Sequence, residues 1–287
     1  VRRAAPQSLE DIRHPGPAAE DRLPHAFCHA RPADIALPGS TLLLAALAQW
    51  AENTGAASAV LNLSGVRLSA FDYVMPDRAI DDRHAAWYSD THHCEGARLD
   101  EAVAILGWRD GDWFAHVHAY WHDDGTPHLG HLLPETLTIA ASALVSGHGI
   151  YGARFEAAPD PETEFTLFRV KSDPDHLDGR TQNALIATLA PFTDLYDSVA
   201  AIGAGLPGTA YTVHGLGSLA GAAFQSGPPM KGLISEILLQ VGAGKPEGGD
   251  LTLPVRTVDL DKTLHQGLAT PDGCPTLVTN ELLMVAV

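Results

Sequence analysis

The sequence predicts an α+β protein built from two tandem copies of one domain, each dominated by antiparallel sheet and carrying one main helix. Three observations predict it. Short apolar segments recur between glycine turns along most of the chain. Each half holds one segment with helical spacing. Both halves follow one order: helix, glycine stop, strand, glycine, strand, loop, Glu-headed apolar segment, glycine. The length of 287 residues agrees, since single domains usually run ~100–200 residues.

Residues 1–37 read as an N-terminal arm, because prolines at 6, 15, 17, 24, 32 and, just beyond, 38 interrupt any periodicity. A partly ordered extension and a strap across another domain or subunit are both open. The first copy spans 38–160. Leu42, Leu43, Leu44, Ala46, Leu47 and Trp50 are spaced for a helix, with Ser40 or Thr41 as N-cap and Gly55 as the stop. Residues 58–63 and 66–73 read as strands, and 77–94 as a polar loop. An apolar segment over 99–106 reaches a tight turn at Asp110-Gly111. Residues 113–121 are strongly strand-like, Asp123-Asp124-Gly125 turns the chain, and 129–133 and 136–145 resume buried character. Two Asp-Pro pairs within 159–177 mark the linker. The second copy, 161–287, has its helix over 193–202, strands over 210–215 and on to 224, and a Glu-headed segment over 236–241.

Charge and composition exclude several classes. Lys+Arg is 18 and Asp+Glu is 35, a formal charge of −17, with only four lysines and no basic patch. Phosphate backbones are bound by Lys and Arg, so nucleic acid is a poor partner. Three scattered cysteines without a CxxC are no disulfide framework and fit a reducing compartment. No signal-peptide core shows in the first 30 residues, and the longest clean apolar run, 42–48, falls far short of the ~20 residues of a membrane span. These features predict a cytoplasmic protein away from membranes.

Fifteen histidines are present, five of them between 116 and 131. His116 and His118 lie two apart on a predicted strand, so both point to one face. The turn returns the chain and brings His131 alongside. Three neutral imidazoles with an open fourth position describe a catalytic zinc site, with other divalent transition metals left open. His122 and His128 lie nearer the hairpin tip and face solvent in this reading. Phe114, Tyr120 and Trp121 would supply apolar walls. For proton transfer the candidates are Glu135, four residues past His131, and Glu101, which heads the preceding segment. Arg109 suits a carboxylate-bearing substrate through bidentate pairing. Each of these three is equally open to being a solvated charge. The His92-His93 pair is a second polar cluster, read as surface loop or pocket edge. Gly215-Leu216-Gly217 lacks the spacing of a dinucleotide loop, and no GxSxG or P-loop occurs.

Residues 50–65 (WAENTGAASAVLNLSG), 114–133 (FAHVHAYWHDDGTPHLGHLL), 213–224 (VHGLGSLAGAAF) and 236–242 (EILLQVG) resemble the PPC (plants and prokaryotes conserved) domain. The HxH…GHL stretch carries most of this resemblance. It implies a strongly bent antiparallel sheet, usually assembled as trimers, similar in architecture to α-acetolactate decarboxylase and to a zinc-dependent ester hydrolase with an HxH…H metal site. It implies metal ligation by His116, His118 and His131. In plants the domain accompanies AT-hooks and helps assemble DNA-bound complexes; no Arg-Gly-Arg-Pro hook occurs here. The second copy departs from the pattern, with LTLPVRTV over 251–258 and a single His265 nearby. A metal site is therefore predicted in the first copy alone. The leading functional expectation is a zinc-dependent decarboxylase or hydrolase of a small carbonyl or carboxylate compound, forming a homo-oligomer, a trimer first. A non-catalytic oligomeric binding module is the alternative, and direct DNA binding the weakest.

Overall fold

Two hairpins joined by Asp-Gly turns organise the first half of the chain. The computed structural model describes residues 2–287. Strands Ala97–Arg109 and Asp112–Asp123 meet at Asp110 and Gly111, with φ of 54° and 87°. Strand Thr126–Leu132 follows through Asp124 and Gly125, with φ of 45° and 79°. Two positive φ values match the twist of a type I′ hairpin, which Asp-Gly adopts readily. A two-residue turn fixes register, so His118 stands opposite His131.

The first sheet runs, strand by strand, His25–Leu37, Ala143–Tyr151, Ser58–Asn62, Ala97–Arg109, Asp112–Asp123, Thr126–Leu132, Phe71–Val74 and His92–Cys94. The second runs Ala184–Leu189, Thr276–Ala286, Tyr211–Leu219, Ser235–Leu239, Pro254–Asp259 and Leu264–Leu268. Both place the strand before the helix beside a strand from later in the chain (Ala143–Tyr151 in the first, Thr276–Ala286 in the second), then the strand after the helix, then three strands in chain order. The first sheet also carries the pair Ala153–Pro159 and Thr166–Ser172, joined to it in parallel where Glu156 stands opposite Trp108. Nearly all pairings are antiparallel, and two α-helices complete the structure among the described residues.

Leu43–Thr54 is helical because Leu43, Leu47 and Ala51 recur every fourth residue and form its buried stripe. Gly55 ends it at φ 68°, its N–H bonded to the carbonyls of Ala51 and Glu52. Leu42 occupies the N-cap instead of Ser40 or Thr41, because the Thr41 hydroxyl bonds the Pro38 carbonyl. In the helix Leu195–Gly203, Leu195, Val199 and Ile202 face inward, and Asp194 caps the Asp197 N–H at 2.9 Å.

Three expectations need correction. The arm over 1–37 ends earlier, since His25–Leu37 is a thirteen-residue strand with Cys28, Ala30, Ile35 and Leu37 buried. Its first four residues pair with Ala184–Ala187 of the second sheet, and the remaining nine pair with Ala143–Tyr151 of the first. Pro32 misleads at the sequence level; over 29–37 this strand pairs along one side only, where proline is tolerated. The linker over 159–177 instead holds strand Thr166–Ser172, paired with Ala153–Pro159, and a 3-10 turn Pro174–Leu177. The Asp-Pro pairs mark those turns, so the 160/161 boundary falls inside a hairpin. The segments over 210–215 and beyond form one strand, Tyr211–Leu219, while 66–73 divides into Arg67–Leu68 and Phe71–Val74.

His148 of the first sheet and His214 of the second meet with ring centroids 5.2 Å apart. Burial, and secondarily His148, pushes the His214 pKa down to about 4. A depressed folded pKa means the unfolded chain takes the proton first. The stability contributed by neutral His214 is thus complete above pH 6.5 and is lost as pH falls toward 4. Urea denaturation at pH 7.5 and 4.5 should show a loss that His214→Gln reduces by about 2–3 kcal/mol. An unchanged pH slope in that variant would contradict the assignment.

Candidate metal centre

Strand alternation puts His116 and His118 on one face, and the hairpin register adds His131 to it. One ligand nitrogen from each ring lies within 4.8 Å of the other two, and the Nε2 atoms of His116 and His118 are 3.1 Å apart. In tetrahedral coordination with Zn–N of ~2.0–2.1 Å, neighbouring donors stand at about this spacing. Gly130 lets the third ligand in: a Cβ there would come within 2.8 Å of the Val74 carbonyl oxygen.

The Nδ1 of each ring is already engaged. His116 Nδ1 bonds Glu281 Oε2 at 2.8 Å, and His118 Nδ1 bonds the Ile237 carbonyl at 2.7 Å. Carbonyl and carboxylate oxygens accept, so both rings donate from Nδ1 and present bare Nε2 lone pairs. His131 Nδ1 meets the Tyr88 hydroxyl at 3.0 Å, a partner able to donate or accept. Such outer partners orient rings and raise ligand basicity. Burial, then the neighbouring His116, holds the His118 pKa well below the usual imidazole range; burial, then His116 and His118, does the same for His131. Neutral rings are the ligating form. The donor chemistry therefore fits a divalent transition metal. Glu281→Gln should weaken metal binding by about 10–100-fold, read by competition with a chelating dye; unchanged affinity would deny Glu281 its orienting role.

Glu236 adds a group that the sequence reading did not single out. Its Oε2 lies 3.9 Å from His118 Nε2, is buried, and has no hydrogen-bond partner. Burial raises its pKa well above the carboxylate range. It lines a cavity of about 270 Å³ shared with His116, His118 and Tyr88. Tyr88 keeps 44 % of its surface exposed while its hydroxyl reaches inward to His131; burial at that end, then Glu236 and Glu281, raises its pKa well above the phenol range. The histidines come from the first sheet, whereas Glu236, Glu281 and Ile237 come from the second. The centre lies between the halves.

The three candidates for acid–base and substrate roles are placed elsewhere. Glu101 accepts from Arg256 at 2.7 and 2.9 Å and from Gln240 at 2.9 Å, tying the two halves together. Arg256 also stacks over the Tyr120 ring at 4.1 Å. Arg109 lies at an exposed turn, 3.8 Å from Asp110 and over Phe114. Glu135 is exposed in the 3-10 turn Pro134–Thr136. None of them lines the cavity. Trp121 is fully buried, edge-on to Phe71 and Tyr73, and Tyr120 faces the Arg256 side. Among the outlying histidines, His122 bonds Asp100, His93 bonds Asp72, His92 stacks on Tyr73, His128 on Trp121, and His265 bonds Asp259.

Fold and site together define a sheet-rich α+β protein with a three-histidine centre able to hold a metal. No protein-family model and no curated protein matches the sequence. Several solved structures do resemble part of it. A metal-containing protein from Archaeoglobus fulgidus is 17 % identical, with a TM-score of 0.39, over 50 % of this chain and 96 % of its own. A plant- and prokaryote-conserved (PPC) protein from Pyrococcus horikoshii is 15 % identical, with a TM-score of 0.37, over 50 % of this chain and 94 % of its own. A candidate DNA-binding protein from Ralstonia eutropha is 18 % identical, with a TM-score of 0.38, over 48 % and 90 %. Cys28, Cys94 and Cys274 are free and buried, and among the described residues no helix is long and apolar enough to cross a membrane.

Proposed function

We propose that this chain is a metal-dependent enzyme, with zinc the favoured ion, acting on a small carbonyl or carboxylate compound as a hydrolase or decarboxylase. One observation carries the reading: three imidazoles with engaged outer nitrogens converge, two of them, His116 and His118, lining a cavity beside an unpartnered buried carboxyl oxygen of Glu236. A purely structural zinc is closed by four protein ligands, whereas a catalytic one keeps a position open. Among the described residues the convergent group holds three. When bound, a divalent ion supplies Lewis acidity toward a carbonyl oxygen or a water.

The chain's own groups do the rest. Glu281, Ile237 and Tyr88 hold the rings. Glu236 Oε2 holds a proton that it can give to a leaving oxygen or carbanion and take back from water. The apolar walls exclude bulk water and strengthen these charges. Metal analysis of protein purified without chelators or added metal should find about one equivalent of zinc or a related ion per chain. Protein without stoichiometric metal that also fails to take up zinc ends this reading.

Several broader proposals accompany it. The strand order common to the two sheets supports duplication of one PPC-like unit, with the second copy having kept no histidine pair. Buried free thiols support a reducing, cytoplasmic setting. A homotrimer is the assembly proposed, to be measured by light scattering. The charge of −17 disfavours nucleic acid as a partner.

A further inference from the structure

The cavity wall is mostly hydrocarbon and aromatic, including Ala86, Trp87, Phe165, Ile234 and Leu277. Its ionisable groups other than the ligand histidines and Tyr88 reduce to one carboxyl, Glu236, and a second, Glu281, stands directly behind His116. Among the described residues no lysine or arginine lines it. The guanidinium that reaches the Tyr88 main chain, Arg2, is committed to Asp77 at 2.9 Å and to the carbonyls of Arg78 and Tyr88. The volume of about 270 Å³ suits a small ligand.

From this we infer that the protein walls of the cavity favour a neutral carbonyl compound with a short hydrocarbon tail over a free carboxylate, with a small carboxylic ester as the reactive class, which narrows the proposed function to its hydrolase branch. The inference rests on the metal-dependent reading for its chemistry, though not for its binding preference. A carboxylate entering the metal-free cavity would give up its hydration for walls that offer no lysine or arginine. An ester gives up little hydration and gains apolar contact. Hydrolysis consumes one water. Its oxygen bonds the acyl carbon, the acyl–alkoxy bond breaks, and the departing oxygen takes a proton from Glu236. The proton released by the water returns to Glu236, leaving one acid and one alcohol.

The test compares 2-heptanone, a neutral ketone that cannot be hydrolysed, with hexanoate of matched size. Calorimetry is run on metal-free and on zinc-loaded protein. In metal-free protein the ketone should bind more tightly by about tenfold or more, and zinc, itself a cation with an open position, should narrow that difference. Tryptophan emission should change on ketone binding in the native protein, and that change should vanish in Trp87→Phe, which places the ligand in this cavity. Hexanoate binding equally or more tightly to metal-free protein overturns the inference, as does failure of the ketone to bind or an emission change that survives in Trp87→Phe. Failure to take up zinc, with the ketone still preferred by metal-free protein, overturns the metal reading instead and leaves the binding preference standing.

Discussion

Replacing His116 and His118 together by alanine is expected to leave the protein without stoichiometric divalent metal. The two rings contribute the pair of Nε2 atoms that lie 3.1 Å apart, and only His131 would remain. A single imidazole holds zinc weakly. The loss of affinity should exceed the ~10–100-fold that altering one outer partner costs. Elemental analysis after dialysis reads the result directly: near zero in the double variant against about one equivalent in the parent. Circular dichroism guards against unfolding as the cause, since His118 is buried and its removal leaves a small void. Retention of a full equivalent by a folded double variant would place the ion elsewhere.

Glu236→Gln carries the second large effect. If Glu236 moves the proton, an amide of the same shape should lower turnover by about 10²–10⁴-fold with little change in KM. Stability should move the other way. Burial raises the folded pKa of Glu236 above its unfolded value, so any contribution it makes is complete below the unfolded pKa and is lost as pH rises through the folded one. At pH 8 metal-free Glu236→Gln should therefore unfold at equal or higher temperature than the parent, and the advantage should shrink near pH 4. A buried carboxyl that costs stability yet is required for turnover marks a group kept for chemistry. A folded variant that loses both stability and metal would instead show Glu236 to be a structural prop.

The histidine centre was legible because its causes are local. Alternation along one strand and an Asp-Gly turn of fixed length bring His116, His118 and His131 to one face without help from distant chain. The supporting groups were not legible for the opposite reason. Glu281 sits 165 residues from His116 and Ile237 sits 119 from His118, and their meeting depends on how two sheets dock. A signal existed: Glu236 and Glu281 are each the one charged residue in a mainly apolar strand, where a charged side chain seldom lies without a purpose. Glu101 misled because its partner Arg256 is 155 residues away, so a cross-link between halves looked like a free carboxylate. The helices were read to within a residue or two from their stripes and stops. The prolines hid the strand His25–Leu37, whose burial alternates only over short stretches.

That strand serves both sheets, and this governs what could be cut from the molecule. A fragment starting at residue 38 would bare the backbone of Ala143–Tyr151 along one side and of Ala184–Ala187 along another. Open strand edges of this kind recruit other chains and aggregate. Such a truncated chain should then not be recoverable in dispersed form, whereas a synthetic peptide covering 25–37 should rescue it by complementation.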